Sequence, residues 1–144
     1  MTPVHQEIVD PRLGDCVRAC FASLMDLPLQ DVPNFSALPT RQMWMHAQVQ
    51  GMYHWLRPQG LDILEWSEPD PLPEDVYGDE PFHPYVIASG PSATFPDSRH
   101  VVIAERYWDE ERSRWRARFV HDPNPAGRFI PHATDYLHIF RRKT

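Results

Sequence analysis

At 144 residues with 42% hydrophobic and 24% charged side chains, the chain has the composition of one globular domain with a real core, residues 1–144 forming a single unit, and wholesale disorder is excluded. A net charge of −6 argues against a nucleic-acid binder, which would carry a positive surface, and the basic run Arg141-Arg142-Lys143 reads as a solvated chain end. No stretch approaches the ~20 apolar residues that cross a bilayer, and Met1 to Glu7 lacks a basic region followed by an apolar run, so a cytoplasmic protein with no membrane partner is expected.

Residues 1–15 read as an extended lead-in that ends in a turn, punctuated by Asp10-Pro11 and Leu13-Gly14. A helix then runs from Cys16 to about Asp26 and stops before Pro28, with Val17, Cys20, Phe21 and Leu24 as its apolar stripe. Asp15 is the expected N-cap, its carboxylate accepting amide hydrogens of the first turn. Asp31 to Phe35 should form a turn that lays Val32 and Phe35 on the core. A second helix is predicted from about Arg41 to Leu56, capped by Thr40, with Met45, Val49, Met52 and Leu56 on one face. His46 and His54 lie too far apart on it to share a metal.

The second half is sheet. Leu61 to Trp66 alternates apolar and polar, as a half-buried strand does. The proline-rich acidic run from Glu68 to Pro84 is a long excursion, a candidate rim that would favour a basic or amine-bearing substrate. Pro84 to Gly90 is a continuous apolar run, so it reads as a central strand. His100 to Glu105 and Arg114 to Asp122 flank the charged turn Trp108 to Ser113 and form a predicted antiparallel hairpin, and Tyr136 to Arg141 is the last strand. The fold class is α+β, with N-terminal helices packed on an antiparallel sheet.

The chemistry starts at Cys16. At a helix N-terminus the dipole favours a thiolate, and free backbone N–H groups point outward to receive an oxyanion. Cys20 belongs on the apolar stripe and acts as an internal control. A nucleophilic thiol needs a base, and the base needs an orienting group. His100 opens one strand of the hairpin and Asp122 closes the other, so both lie at the end opposite the connecting turn. Asn124 is a second candidate for orienting the imidazole, whereas His121 points to the opposite face from Asp122.

Gly14-Asp15-Cys16-Val17-Arg18-Ala19-Cys20-Phe21-Ala22-Ser23-Leu24, Val32-Pro33-Asn34-Phe35, His100-Val101-Val102-Ile103 and Val120-His121-Asp122-Pro123 together resemble the papain-like cysteine peptidase superfamily. Within it they are most similar to the compact branch of bacteriocin-leader-cleaving peptidase domains. The resemblance implies a papain-like fold with Cys16 as nucleophile, His100 as general base and acid, and Asp122 as orienting acid. It also implies a glutamine shortly before the cysteine, whose amide joins a backbone N–H in the oxyanion hole. This chain has Asp10 six positions before Cys16, where the family has that glutamine, and Val17 where glycine is common. Gln6, ten before, would serve with the Cys16 N–H if the turn from Pro11 to Gly14 brings it back.

The expected activity is that of a cysteine hydrolase, a peptidase or amidase that passes through a thioester acyl-enzyme and acts on a peptide or amide-bearing substrate with no cofactor. Two other readings use the same residues. One is a catalytically inactive papain-like fold serving as a binding or regulatory module, which the reactivity of the thiol distinguishes. The other is a metal site of Cys16, Cys20 and histidines, which lacks a second Cys/His pair at zinc spacing, so no metal is expected.

Overall fold

The computed structural model describes residues 1–10, 14–35, 44–67 and 84–142. Among them run two helices, α1 (Cys16–Met25) and α2 (Trp44–Leu56), and five strands, β1 (Leu61–Ser67), β2 (Tyr85–Pro91), β3 (Arg99–Asp109), β4 (Arg114–His121) and β5 (Asp135–Arg141). The predicted Thr40 cap, the start of the second helix at Arg41 and the acidic run from Glu68 to Glu80 lie outside the described residues. No helix among the described residues is long and apolar enough to cross a membrane.

The strands form one antiparallel sheet in the order β1-β5-β2-β3-β4. The uninterrupted apolar run of β2 is thereby interior, paired with β3 on one side and β5 on the other. The last strand inserts between β1 and β2, so the chain closes the sheet from within. The β3–β4 hairpin forms as the alternation predicts, but β3 continues to Asp109 rather than stopping near Glu105. Charge across the ladder explains the extension: the Arg118 guanidinium reaches Glu105 at 3.0 Å, and Arg112 and Arg116 converge on Asp109 at 3.1 and 3.2 Å.

Both faces of the sheet are covered. On one, Leu61, Ile63, Ile87, Val101, Ile103 and Ile139 meet the helices. α1 is buried nearly all round, Ala19, Ala22 and Ser23 joining the predicted stripe, as befits a helix enclosed by other elements. It ends in a left-handed Asp26 at φ 55°, after which the Leu27 N–H returns to the Ala22 carbonyl at 2.9 Å. The turn after it falls earlier than predicted, as a 3₁₀ turn over Leu29–Asp31 opened by Pro28, yet it still delivers Val32 and Phe35 to the core. Phe21, Phe35 and Trp55 pack edge to face, with ring centroids 5.4 to 6.2 Å apart, and join α1 to α2. On the other face Val86, Ala88, Val102, Ala104, Ile130 and Tyr136 make a second cluster, covered by the segment after β4.

Phe21 is fully buried at the junction of both helices and the sheet. Phe21→Ala should therefore cost about 3–5 kcal/mol, read as a lowered urea midpoint.

Candidate active site

Three segments remote in sequence meet at the open end of β3. Cys16 is the first residue of α1, His100 the second of β3, and Asp122 follows the last residue of β4. The His100 Nε2–H donates to Asp122 Oδ1 at 2.6 Å, and the imidazole also hydrogen-bonds the Cys16 side chain, for which Nδ1 is the ring nitrogen left. The His100 and Asp122 side chains are only 12% and 3% exposed, so water does little to screen the pair.

An irregularity in the ladder aligns Asp122 with His100. From Asp109↔Arg114 to Ala104↔Phe119 the two strands pair in constant register, but the next pair is Ile103↔His121, which leaves Val120 as an extra residue on β4. A regular ladder continued past Phe119 would set Asp122 opposite Val101, with its side chain on the face His100 avoids. The bulge sets it opposite Val102 instead, on the face His100 shares, since side chains alternate with period two. Val120 is accordingly exposed.

Asp122 is held from every side. Its Oδ1 accepts the Asn124 N–H at 2.9 Å as well as His100, and its Oδ2 accepts the Phe129 N–H at 2.7 Å. Burial would raise its pKa, but the hydrogen bonds from His100, Asn124 and Phe129 win and hold it below the usual carboxylate value. Burial likewise pulls His100 down, and the hydrogen bonds and charges of Asp122 and Cys16 overrule it, raising the imidazole to about 9. Asn124 thus corrects the expectation that it orients the imidazole: its backbone serves Asp122, and its side-chain Oδ1 accepts the Ala126 N–H. Cys20 is fully buried, and desolvation, with the negative charge of Cys16 and Asp122 added, drives its thiol well above the ordinary value. Of the two cysteines on this helix, Cys20 is fully buried and Cys16 is partly exposed.

Asp15 also departs from expectation. It occupies the N-cap position of α1, but no side chain caps the helix there. Its fully buried carboxylate turns back to accept the N–H groups of Ile8 at 2.9 Å and Glu7 at 3.4 Å, with Arg18 at 3.9 Å. Two backbone amides from the lead-in are stronger competitors for the carboxylate than the helix's own first turn. What results is a strap. Residues 2–10 bond Ser23 of α1 through Thr2 and Val4, His121 through the Val4 carbonyl, Pro123 through the Gln6 N–H, and Gly14 and Asp15 through the Asp10 and Ile8 carbonyls. The strap stitches the cysteine's helix to the end of β4 that carries Asp122.

Gln6 is buried in that strap. Its Nε2 donates one hydrogen to the Ile8 carbonyl at 2.8 Å, the same oxygen that receives the Asp15 N–H, and its Oε1 has no partner among the described residues. Gln6 and Asp15 thus donate to one carbonyl, that of Ile8. Sequence reasoning missed Phe129 and the Val120 bulge; a Gly127 two residues before Phe129 was the one local sign of an unusual turn. No cluster of three or more His, Cys, Asp or Glu suited to a metal ion occurs among the described residues. The chain matches no family model, no curated protein and no solved structure.

Because the folded-state pKa of His100 lies above its unfolded value of 6.5, its contribution to stability is complete below 6.5 and is lost as pH rises through about 9. Asp122, lowered from 3.8, contributes above that value and loses its contribution as acid protonates it. Denaturation midpoints should fall between pH 6.5 and 9, by an amount on the order of 3 kcal/mol at most, and that fall should shrink in Asp122→Asn, where only Cys16 is left to raise the imidazole.

Proposed function

We propose that the chain is a cysteine hydrolase of the papain-like kind, a peptidase or amidase. One observation carries this reading: a single imidazole bridges a thiol at a helix N-terminus and a buried carboxylate held by two backbone amides. That is the nucleophile, base and orienting group of covalent acyl transfer, brought together from three separate segments. A binding module has no use for a thiol placed against an imidazole that stays protonated to about pH 9.

In this mechanism the Cys16 thiolate, paired with the His100 imidazolium, attacks the carbonyl carbon of an amide. A C–S bond forms and the carbonyl π pair moves to oxygen. The Cys16 backbone N–H and the second hydrogen of Gln6 Nε2 are the donors for the oxyanion. As the oxyanion collapses the C–N bond breaks, and the His100 Nδ1–H passes its proton to the leaving amine. The neutral imidazole then takes a proton from water, hydroxide adds to the thioester, and the thiolate leaves with the acid product. Asp122 keeps Nε2 protonated throughout, so that Nδ1 is the nitrogen facing the sulfur.

The test is iodoacetamide alkylation across pH with mass mapping of Cys16 and Cys20. Cys16 should react at neutral pH while Cys20 stays unmodified, and His100→Ala should slow Cys16 at least about tenfold. A Cys16 that stays inert, or that ignores His100→Ala, refutes the hydrolase and leaves the binding module. On a cleaved substrate, kcat/KM should fall on the alkaline side near pH 9, where the imidazolium is lost, and Asp122→Asn should reduce kcat by about 10²-fold or more.

A further inference from the structure

The segment leaving β4 contains a conformation its residue type does not favour. Phe129 has φ 58°, in the left-handed region, where a bulky L residue is strained. Gly127, at φ 65°, takes such a backbone without strain. The turn between Asp122 and Phe129 is built locally: the Asn124 side chain accepts the Ala126 N–H at 3.0 Å, and the Asn124 carbonyl accepts the Gly127 N–H at 2.9 Å. This turn explains where the chain goes, but not why a phenylalanine stands where glycine or asparagine would be easier.

The ring and its neighbour supply the reason. The Phe129 ring stacks on Phe119 of β4, centroids 6.3 Å apart and planes within 11°. Ile130 is seated in the second-face cluster among Val86, Ala88, Val102, Ala104 and Tyr136. On the other side, Ile130 to His132 lie so close to β2 that a Cβ on Gly90 would fall 2.1 Å from the His132 carbonyl oxygen and 3.1 Å from the Ile130 side chain. Gly90 pairs directly with His100 in the ladder. The strained residue is therefore gripped from both sides, and the one polar result of its conformation is the N–H it directs at Asp122 Oδ2, 2.7 Å away.

We infer that Phe129 is a positioning residue for Asp122: its left-handed backbone, held by the stack on Phe119 and the seating of Ile130 against Gly90, aims the amide that fixes the carboxylate on which His100 rests. The apolar cluster on the second face of the sheet thereby bears on the site, since the burial that makes it also offsets the strain. The inference builds on the triad described above, yet it concerns geometry and can be read whether or not the thiol turns over a substrate.

The test uses the full chain, labelled with ¹⁵N, and follows the Phe129 amide and the His100 ring from pH 6 to 10. The Phe129 amide should exchange slowly with solvent and shift with the same midpoint as His100, about 9. Phe129→Tyr, which keeps the stack, should leave both unchanged. Phe129→Gly, which releases the ring, and Gly90→Ala, which pushes the segment away from β2, should each move the His100 midpoint toward 6.5 and slow Cys16 alkylation at pH 8 several-fold. A Phe129 amide that exchanges like an exposed loop amide and does not titrate overturns the inference, as does an unmoved His100 midpoint in folded Gly90→Ala. Should either variant fail to fold, the native amide decides alone. If the amide titrates with His100 while Cys16 proves inert, the positioning role stands and the hydrolase reading falls.

Discussion

A carboxylate almost wholly removed from water is tolerated only when donors surround it, and Asp122 has three: two backbone amides and an imidazolium. Each donor fixes a different part of the molecule. The Asn124 amide requires the turn after β4, the Phe129 amide requires the segment that covers the second face of the sheet, and the imidazole requires the start of β3. Without any one of them the others would surround a buried charge incompletely met, so the architecture at this end of the sheet follows from the needs of one group. The raised imidazole and lowered carboxylate are the electrostatic expression of that arrangement.

The second constraint acts on the cysteine. Asp15, adjacent to Cys16 and fully buried, is another carboxylate met by backbone amides, here those of the N-terminal strap. The strap in turn bonds the segment carrying His121 and Pro123. Two buried aspartates, one beside Cys16 and one beside His100, are thus linked through residues 2–10 of the same chain. This explains how an N-terminal helix and a C-terminal hairpin, with α1 joined to the sheet chiefly through β3, can hold a thiol and an imidazole in register.

Much of this was legible in the residues. The three-and-four spacing of Val17, Cys20, Phe21 and Leu24 announced α1, the alternation of Arg114 to Asp122 announced β4, and the unbroken apolar run of β2 announced an interior strand. The hairpin topology then pointed to His100 and Asp122 as neighbours. Less legible was everything that depends on a side chain choosing among distant partners. Asp15 reads as a helix cap because capping is what a local view offers it; only the folded chain presents it with the amides of Glu7 and Ile8. Asn124 reads as a partner for the imidazole, and the fold uses its backbone instead.

Sequence alone determined which segments are helix and strand, which faces are apolar, and which residue types capable of acyl transfer stand at the ends of those segments, because periodicity and turn chemistry are local properties written residue by residue. Only the tertiary structure decided the strand order with β5 inserted beside β2, the extra residue at Val120 that turns Asp122 toward His100, and the strained Phe129 amide that holds it there. Those features depend on pairing energies and packing between residues far apart in the chain. A bulge or a left-handed phenylalanine is unfavourable locally and is stabilised only by contacts that exist once the sheet has closed.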